Sequence, residues 1–370
     1  MHFQIARAEL QRQLHHVAGA VARGTGFHGL PILGNVLAEI RGSQLRLTGS
    51  DSEVTMSGIC SVTEASEDTA ITVPAKKLLD IVRALPSSVS TVDARLVETG
   101  NLQLRAGTGR YTLATLPAAG YPERPAIGDA TRITVSDALL STMTQSVSYA
   151  MANGDKRAYL NGMLLHLAGP TITCVGTDGS RMGVARAALS ERVAAETRVI
   201  VARRGVAAMQ AMLTGSDEPV ELYVGARHLG IAKGDQKLVA SLIDGAYPDY
   251  GRVVPAASRH QVPLERRVLL DAVKRTAIVG SDIKDAVVLD FTGDTLRISA
   301  SAVEKGDASE EIPVPCQDIH FRMGVNARYL IDALSALSED AVHMRLNTPT
   351  DSILLTNGDG SDHIIMPLRF

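Results

Sequence analysis

"VPAKKLLDIVRAL" at residues 73–85, "VARRGVAAMQAML" at 201–213 and "VNARYLIDALSAL" at 325–337 are three versions of one segment. Valine opens each (Val73, Val201, Val325) and leucine closes each (Leu85, Leu213, Leu337), at intervals of roughly 125 residues, the length of one small domain. Leu78, Ile81, Val82 and Leu85, like Leu330, Ala333, Leu334 and Leu337, recur at i, i+3, i+4 and i+7, which winds them onto one face of a helix. The middle copy carries Gln210 within its stripe but keeps Val206, Met209 and Leu213 in place. An amphipathic helix needs a core to receive its stripe, so three such helices require three cores.

A second helix recurs ahead of each of these, in "FQIARAEL" (3–10), "ITVSDALL" (133–140) and "VPLERRVL" (262–269), with Leu10, Leu140 and Leu269 in register. The spacings predict helices over 6–20, 74–84, 136–150, 202–214, 263–278 and 326–337. Between helices the period drops to two: in "LQLRAGTGRYTLATL" (102–116), Leu102, Leu104, Leu113 and Leu116 flank a glycine turn, the pattern of an antiparallel hairpin. Proline and glycine cluster in "YPERPAIGDA" (121–130) and "YPDYGRVVPAASRH" (247–260), which mark linkers. The expected architecture is α+β, with three tandem similar domains at 1–128, 129–255 and 256–370, each running strand, helix, hairpins, strand, helix, hairpins. The stretch "DHIIMPLRF" (362–370) aligns with "TLATLP" and "VASLIDGAYP", so Ile364, Ile365 and Leu368 fall on the last strand of the third domain rather than on a targeting tail.

Composition excludes several classes of function. With 45% hydrophobic and 21% charged residues the chain is globular rather than disordered. No apolar run reaches the ~18 residues of a membrane span, and "MHFQIARAELQRQL" lacks a signal peptide's apolar core, so a cytoplasmic protein with no membrane partner is expected. Cys60, Cys174 and Cys316 stand far apart in apolar or strand-like surroundings, as core thiols rather than disulfide or metal ligands. There is no GxSxG, HExxH or GxxxxGK[ST], and the ten histidines lack ligand spacing, so no catalytic residue, cofactor or metal is expected. "GTDGSRMG" (176–183) follows a strand without leading into a clear βαβ crossover. It reads as a hairpin turn or a binding-surface loop; the enzyme reading would make it a loop for phosphorylated ligands.

The net charge of −3 lacks the basic excess of a simple nucleic-acid binder. Its distribution is uneven, because the six helical segments hold twice as many Lys and Arg as Asp and Glu and leave the remainder acidic. Lys76, Arg204 and Arg328 are equivalent across the triplication and, at about 100° per residue, lie roughly opposite the core face. One such charge is an ordinary solvated face; three over an acidic remainder suit a polyanion lying along the helices, attracted without sequence readout.

The segments "LPILGNVL" (30–37), "TVPAKKLLDIVRALP" (72–86), "YTLATLPAAGYP" (111–122), "YLNGML" (159–164), "TDGSRM" (177–182), "DGAYPDYGRVVP" (244–255) and "MPLR" (366–369) resemble, in order along the whole chain, the bacterial DNA sliding clamps, the beta subunits of DNA polymerase III. The resemblance implies a clamp fold of three similar domains, with two chains joined head to tail in a ring, helices inside and antiparallel sheets outside. A 120-residue domain has a radius of gyration of about 14 Å, so six in a ring enclose a hole about one domain wide. It further implies a non-catalytic processivity factor for the replicative polymerase. The partners would be a second copy in a homodimer, double-stranded DNA in any sequence, the clamp loader, and polymerase and other proteins carrying clamp-binding peptides.

By motif, the peptide-binding cleft would be walled by Leu160, Thr177, Gly179, Ser180, Arg181 and Met182, then Pro248, Arg252 and Val253. The third domain would add Asn326, Tyr329, Thr350, Ser352, Ile364, Met366, Pro367, Leu368 and Arg369. DNA contact would fall to Arg23, Lys76, Arg157, Tyr159, Arg204 and Arg328, and the dimer joint to Tyr111 and Leu113 against Ile278 and Val279. For the apolar members, ordinary core packing is the competing reading. Three departures stand out. Ser180 replaces the histidine of the usual TDGHR, Gly154 and Ala158 stand where a glutamine and a tyrosine are frequent, and "VARGTGFHGLP" (21–31) is long and glycine-rich. These fit a divergent clamp paralogue, acting as an interaction scaffold, decoy or resistance copy, as well as a housekeeping clamp.

Overall fold

The computed structural model describes the chain apart from residues 23–29, 66, 256, 281–285, 303–305, 316–318, 359 and 369–370. Arg23, Arg369 and Cys316 lie outside the described residues.

The first domain runs β1 (His2–Ala6), α1 (Arg7–Val17), β2 (Asn35–Arg41), β3 (Gln44–Ser50), β4 (Val54–Ser61), β5 (Thr69–Pro74), α2 (Ala75–Ala84), β6 (Thr91–Leu96), β7 (Asn101–Ala106), β8 (Gly109–Ala114) and a short β9 (Leu116–Pro117). The second runs β10 (Thr131–Ser136), α3 (Asp137–Ser148), β11 (Gly162–Ala168), β12 (Thr171–Thr177), β13 (Arg181–Ala188), β14 (Thr197–Ala202), α4 (Arg203–Met212), β15 (Pro219–Val224), β16 (His228–Lys233) and β17 (Gln236–Ile243). The third runs β18 (His260–Glu265), α5 (Arg266–Ala277), β19 (Ala286–Thr292), β20 (Thr295–Ala302), β21 (Gly306–Pro313), β22 (His320–Asn326), α6 (Ala327–Ala336), β23 (Ala341–Leu346), β24 (Ile353–Thr356) and β25 (Ser361–Ile365).

The order of elements is the expected one, and it contains a repeat within the repeat: each domain is a strand–helix–three-strand half written twice. The first strand of each half pairs with the other half. In the first domain this gives the antiparallel sheets β1-β6-β7-β8 and β5-β2-β3-β4. In the second it gives β10-β15-β16-β17 and β14-β11-β12-β13. In the third it gives β18-β23-β24-β25 and β22-β19-β20-β21. Leu78, Leu79, Val82 and Leu85 of the first domain bury their stripe with Leu102 and Leu104 in one core, and Leu330, Ala333, Leu334 and Leu337 do the same in the third. One helix start differs from expectation. Residues 263–265 belong to β18, because Val262 and Leu264 alternate inward with Pro263 and Glu265 exposed, a period of two that continues to the helix.

The chain divides into two compact units, Met1–Ala138 with Arg204–Leu242, and Leu139–Arg203 with Ile243–Phe370. The middle domain is shared between them because each of its sheets is extended by a neighbour. In the first unit β17 pairs antiparallel with β4, from Gln236 opposite Gly58 to Ala240 opposite Val54. In the second, β25 pairs antiparallel with β13, from Ser361 opposite Ala185 to Ile365 opposite Arg181.

Charged and polar side chains staple the first of these joints. Arg12 pairs with Asp235 across it, and Gln13, buried, donates from Nε2 to Ile59 O at 3.1 Å and Asp235 Oδ2 at 2.8 Å. Gly58 is what makes room for that amide, since a Cβ there would stand 1.9 Å from Gln13 Oε1. His16 lies beside them with Nε2 3.4 Å from Lys237 O, and burial lowers its pKa from 6.5 to about 4. The folded state therefore refuses a proton that the unfolded chain accepts near pH 6.5. The stability this group contributes is complete above pH 6.5 and is lost as pH falls toward 4, by up to about 3 kcal/mol. His16→Gln should accordingly shrink the fall in urea midpoint between pH 7 and pH 4.5; an equal fall in wild type and variant would remove His16 from the acid response.

Candidate functional site

Where β13 meets β25, a small apolar cluster forms apart from the domain cores: Leu164, Val175, Met182 and Val184 from the second domain with Leu354 and Ile364 from the third. Tyr247, Tyr250 and Val254 from the linker after β17 pack over it. The linker is held down by hydroxyls, Tyr247 donating to Val175 O at 3.2 Å and Tyr250 meeting His166 Nδ1 at 2.9 Å. Tyr121 in the preceding linker does the same, donating to Asn35 O and Thr48 O, which explains why a Tyr-Pro pair recurs in both.

Of the expected cleft residues, Met182 and Ile364 belong to this cluster. Leu160 and Thr177 are buried as well, whereas Val253 (39% exposed), Met366 (44% exposed), Pro248 and Arg252 keep surface open to solvent. Thr177 Oγ1 donates to Arg181 O and accepts from Gly179 N, folding the turn at which Gly179 takes φ +93°, a conformation glycine adopts freely. Exposed Ser180 accepts from Met366 N at 2.9 Å through its carbonyl, while Leu368 N donates to Gly324 O, so both tether the terminal segment. Asn326 caps α6 by accepting from Tyr329 N at 3.0 Å. Thr350 and Ser352 lie on the loop into β24, and Pro367 is half-buried.

Arg181 is the most heavily engaged side chain of the site. Its Nε donates to Asp178 at 3.0 Å and its Nη1 to Asp332 on α6 at 2.6 Å, while the guanidinium lies 4.5 Å from the Tyr329 ring centroid and 5.3 Å from that of Tyr149. Burial works against this charge, but the two carboxylates outweigh it and raise the pKa. Tyr149 in turn bonds His363 Nδ1 through its hydroxyl at 3.0 Å. Sequence reasoning missed Tyr149 and Asp332. Tyr149 stands nine residues after Leu140, as Ile278 does after Leu269, so aligning the repeats past the helix ends would have singled it out.

The basic positions behave unequally. Lys76 is exposed, and Arg328 is exposed with a loose pair to Asp332 at 3.4 Å. Arg204 departs from the solvent-facing position expected of it: half-buried, it donates to Asp51 at 2.7 Å and to Gly19 O, a carboxylate partner 153 residues away in sequence. Arg157 also differs, pairing with Asp155 and laying its guanidinium over Gly179 at the cleft turn, with Tyr159 edge-on to Tyr247. At the expected joint, Tyr111 is half-buried and Leu113 is buried in the first domain's own core, whereas Ile278 is 78% exposed and Val279 half-buried. The site has an apolar floor, a polar frame and no group poised for proton transfer among the described residues. That suits docking of apolar side chains on a short extended segment.

Three repeats of two four-stranded sheets and two helices, joined by strand pairing across domain boundaries, define a DNA clamp. Successive stretches match the DNA polymerase III beta subunit: its N-terminal domain over residues 1–125, central domain over 134–249 and C-terminal domain over 251–369. The beta sliding clamp of Pseudomonas aeruginosa is 36% identical over 373 residues and that of Escherichia coli K12 31% identical over 371, with both chains covered in full in each case. The crystal structure of the Pseudomonas aeruginosa DNA polymerase III subunit beta matches with a TM-score of 0.95 at 35% identity, and that of the Caulobacter crescentus sliding clamp with 0.91 at 28%, again over 100% of both chains. The chain belongs to the DNA polymerase III beta subunit family, the sliding clamps, non-catalytic subunits that confer processivity in DNA replication.

Proposed function

We propose that two copies of this chain close head to tail around double-stranded DNA in the cytoplasm, and that the clamp loader, the replicative polymerase and other partners dock short peptides in the cleft beside β13 and β25. One observation carries the ring. In both joints within the chain, the last strand of one domain (β17, β25) pairs antiparallel with the fourth strand of the domain before it (β4, β13). The same rule leaves two strands over, β8, which ends the first domain's β1-β6-β7-β8 sheet as β17 and β25 end theirs, and β21, each at the edge of its sheet. Edge strands present unpaired N–H and C=O groups and are normally covered; pairing β8 of one copy with β21 of another extends the rule and uses up both.

DNA would then be held by topology, with Lys76 and Arg328 adding weak, salt-sensitive attraction and Arg204 contributing little because Asp51 already occupies it. The full-length matches to sliding clamps give the paralogue or decoy reading no support. Loaded by a clamp loader, the protein should stay on nicked circular DNA and run off within seconds to minutes once that DNA is linearised. Equal retention on both forms would defeat the encircling mechanism.

A further inference from the structure

The strand register extends the cleft floor one position further than its apolar cluster. Across four strands Met182 stands opposite Ile364, Ile364 opposite Leu354, and Leu354 opposite Arg345 on β23. Met344 and Leu346 point into the third domain's core with Ile353 and Leu355, so alternation places Arg345 on the cleft face with Leu354. The other arginines of these strands are compensated, Arg181 by Asp178 and Asp332 and Arg186 by Asp362 at 2.6 Å. Arg345 is not. Half-buried, it makes no hydrogen bond or ion pair among the described residues, and its Nε is shielded from solvent with no acceptor.

A shielded guanidinium N–H without an acceptor is uncommon in folded proteins and marks a place where a ligand can supply one. A carboxylate fits its planar fork in bidentate fashion. We propose that Arg345 is a specificity-determining residue of the cleft, reading a carboxylate on the docked segment and so making the site prefer acidic peptides. The proposal rests on the peptide-cleft reading above. Arg345 lies two strand spacings from Ile364, about 10 Å, and an extended peptide advances about 3.3 Å per residue, so the carboxylate belongs about three residues from the apolar side chain seated over Ile364 and Met366. An Asp or Glu side chain or a terminal carboxylate would serve.

The test uses the full-length protein and short fluorescent peptides with a Leu-Phe anchor, amidated at the C-terminus, carrying Glu or Gln about three residues to either side. One Glu peptide should bind wild type about tenfold tighter than its Gln counterpart at low salt. That advantage should vanish in Arg345→Met and reverse in Arg345→Glu. An amidated Gln peptide and its free-acid form, ending at the same position, separate a terminal carboxylate from a side-chain one. Arg345→Met removes an uncompensated cation, so its melting temperature should not fall. A Glu/Gln ratio near one in wild type, or an equal ratio in wild type and Arg345→Met, would overturn the assignment to Arg345 while leaving the cleft intact. Failure of every peptide to bind wild type would instead remove the cleft reading itself.

Discussion

Ile278→Asp should leave a folded chain that sediments as a monomer at micromolar concentration. Nine residues past the aligned Leu10, Leu140 and Leu269 stand Gly19, Tyr149 and Ile278. The first two are contact points in the joints within the chain: Gly19 O accepts from Arg204, and Tyr149 packs against the third domain's core and bonds His363. Ile278 occupies the same place in the third domain and is 78% exposed, an isoleucine left open to solvent. In the proposed joint, an aspartate would have to be desolvated without a partner, which costs several kcal/mol, and the proposed two-chain ring would contain the joint twice. Association should weaken by more than about a thousandfold. Because Ile278 lies beyond the buried face of α5, circular dichroism and melting temperature should change little. An unchanged sedimentation coefficient would reject this joint.

Arg181→Ala should lower affinity for cleft-binding peptides by about a hundredfold and destabilise the protein by about 3 kcal/mol. The substitution strips the shared donor from Asp178 and Asp332 and the cation from between Tyr149 and Tyr329, so the turn bearing Gly179 and the helix bearing Tyr329 lose their common anchor. Arg181→Lys should recover little, since an ammonium cannot serve two carboxylates as a fork while stacking on a ring. Fluorescence polarisation with a labelled peptide and a thermal melt measure both effects. Wild-type affinity in Arg181→Ala would show that the turn is held by its backbone bonds alone.

The triplication was legible because each domain must bury the same two helical stripes, and burial writes itself into sequence as periodicity. Leu78 and Val82, or Leu330 and Leu334, could be assigned to cores without coordinates. The start of α5 was misread because "VPLE" carries apolar residues at both helical and strand spacing, and only pairing with β23 decides between them. Arg204 looked like Lys76 and Arg328 for a similar reason: position on a helix fixes which way a side chain leaves the backbone, not what waits there. Its partner, Asp51, comes from a different domain. The division of the middle domain between two compact units was equally hidden, since Pro and Gly mark where the chain turns and strand ladders ignore those marks. The cleft walls were named by resemblance; the engagement of Arg181 with Tyr149 and Asp332 needs helices and a strand far apart in sequence to meet, and the face of Arg345 follows from strand register.

The leftover edges β8 and β21 have a further consequence. A joint between two different surfaces sets no limit on the number of copies it can link; it yields a closed ring only if the rotation per domain brings the final edge back to the first, and otherwise yields an open helical fibre. In the proposed ring the staples within the chain, Arg12 with Asp235 and Arg186 with Asp362, would therefore act as angle setters for the whole assembly. Variants that loosen them need not weaken association at all. They would change its arithmetic, turning a two-membered circle into a polymer.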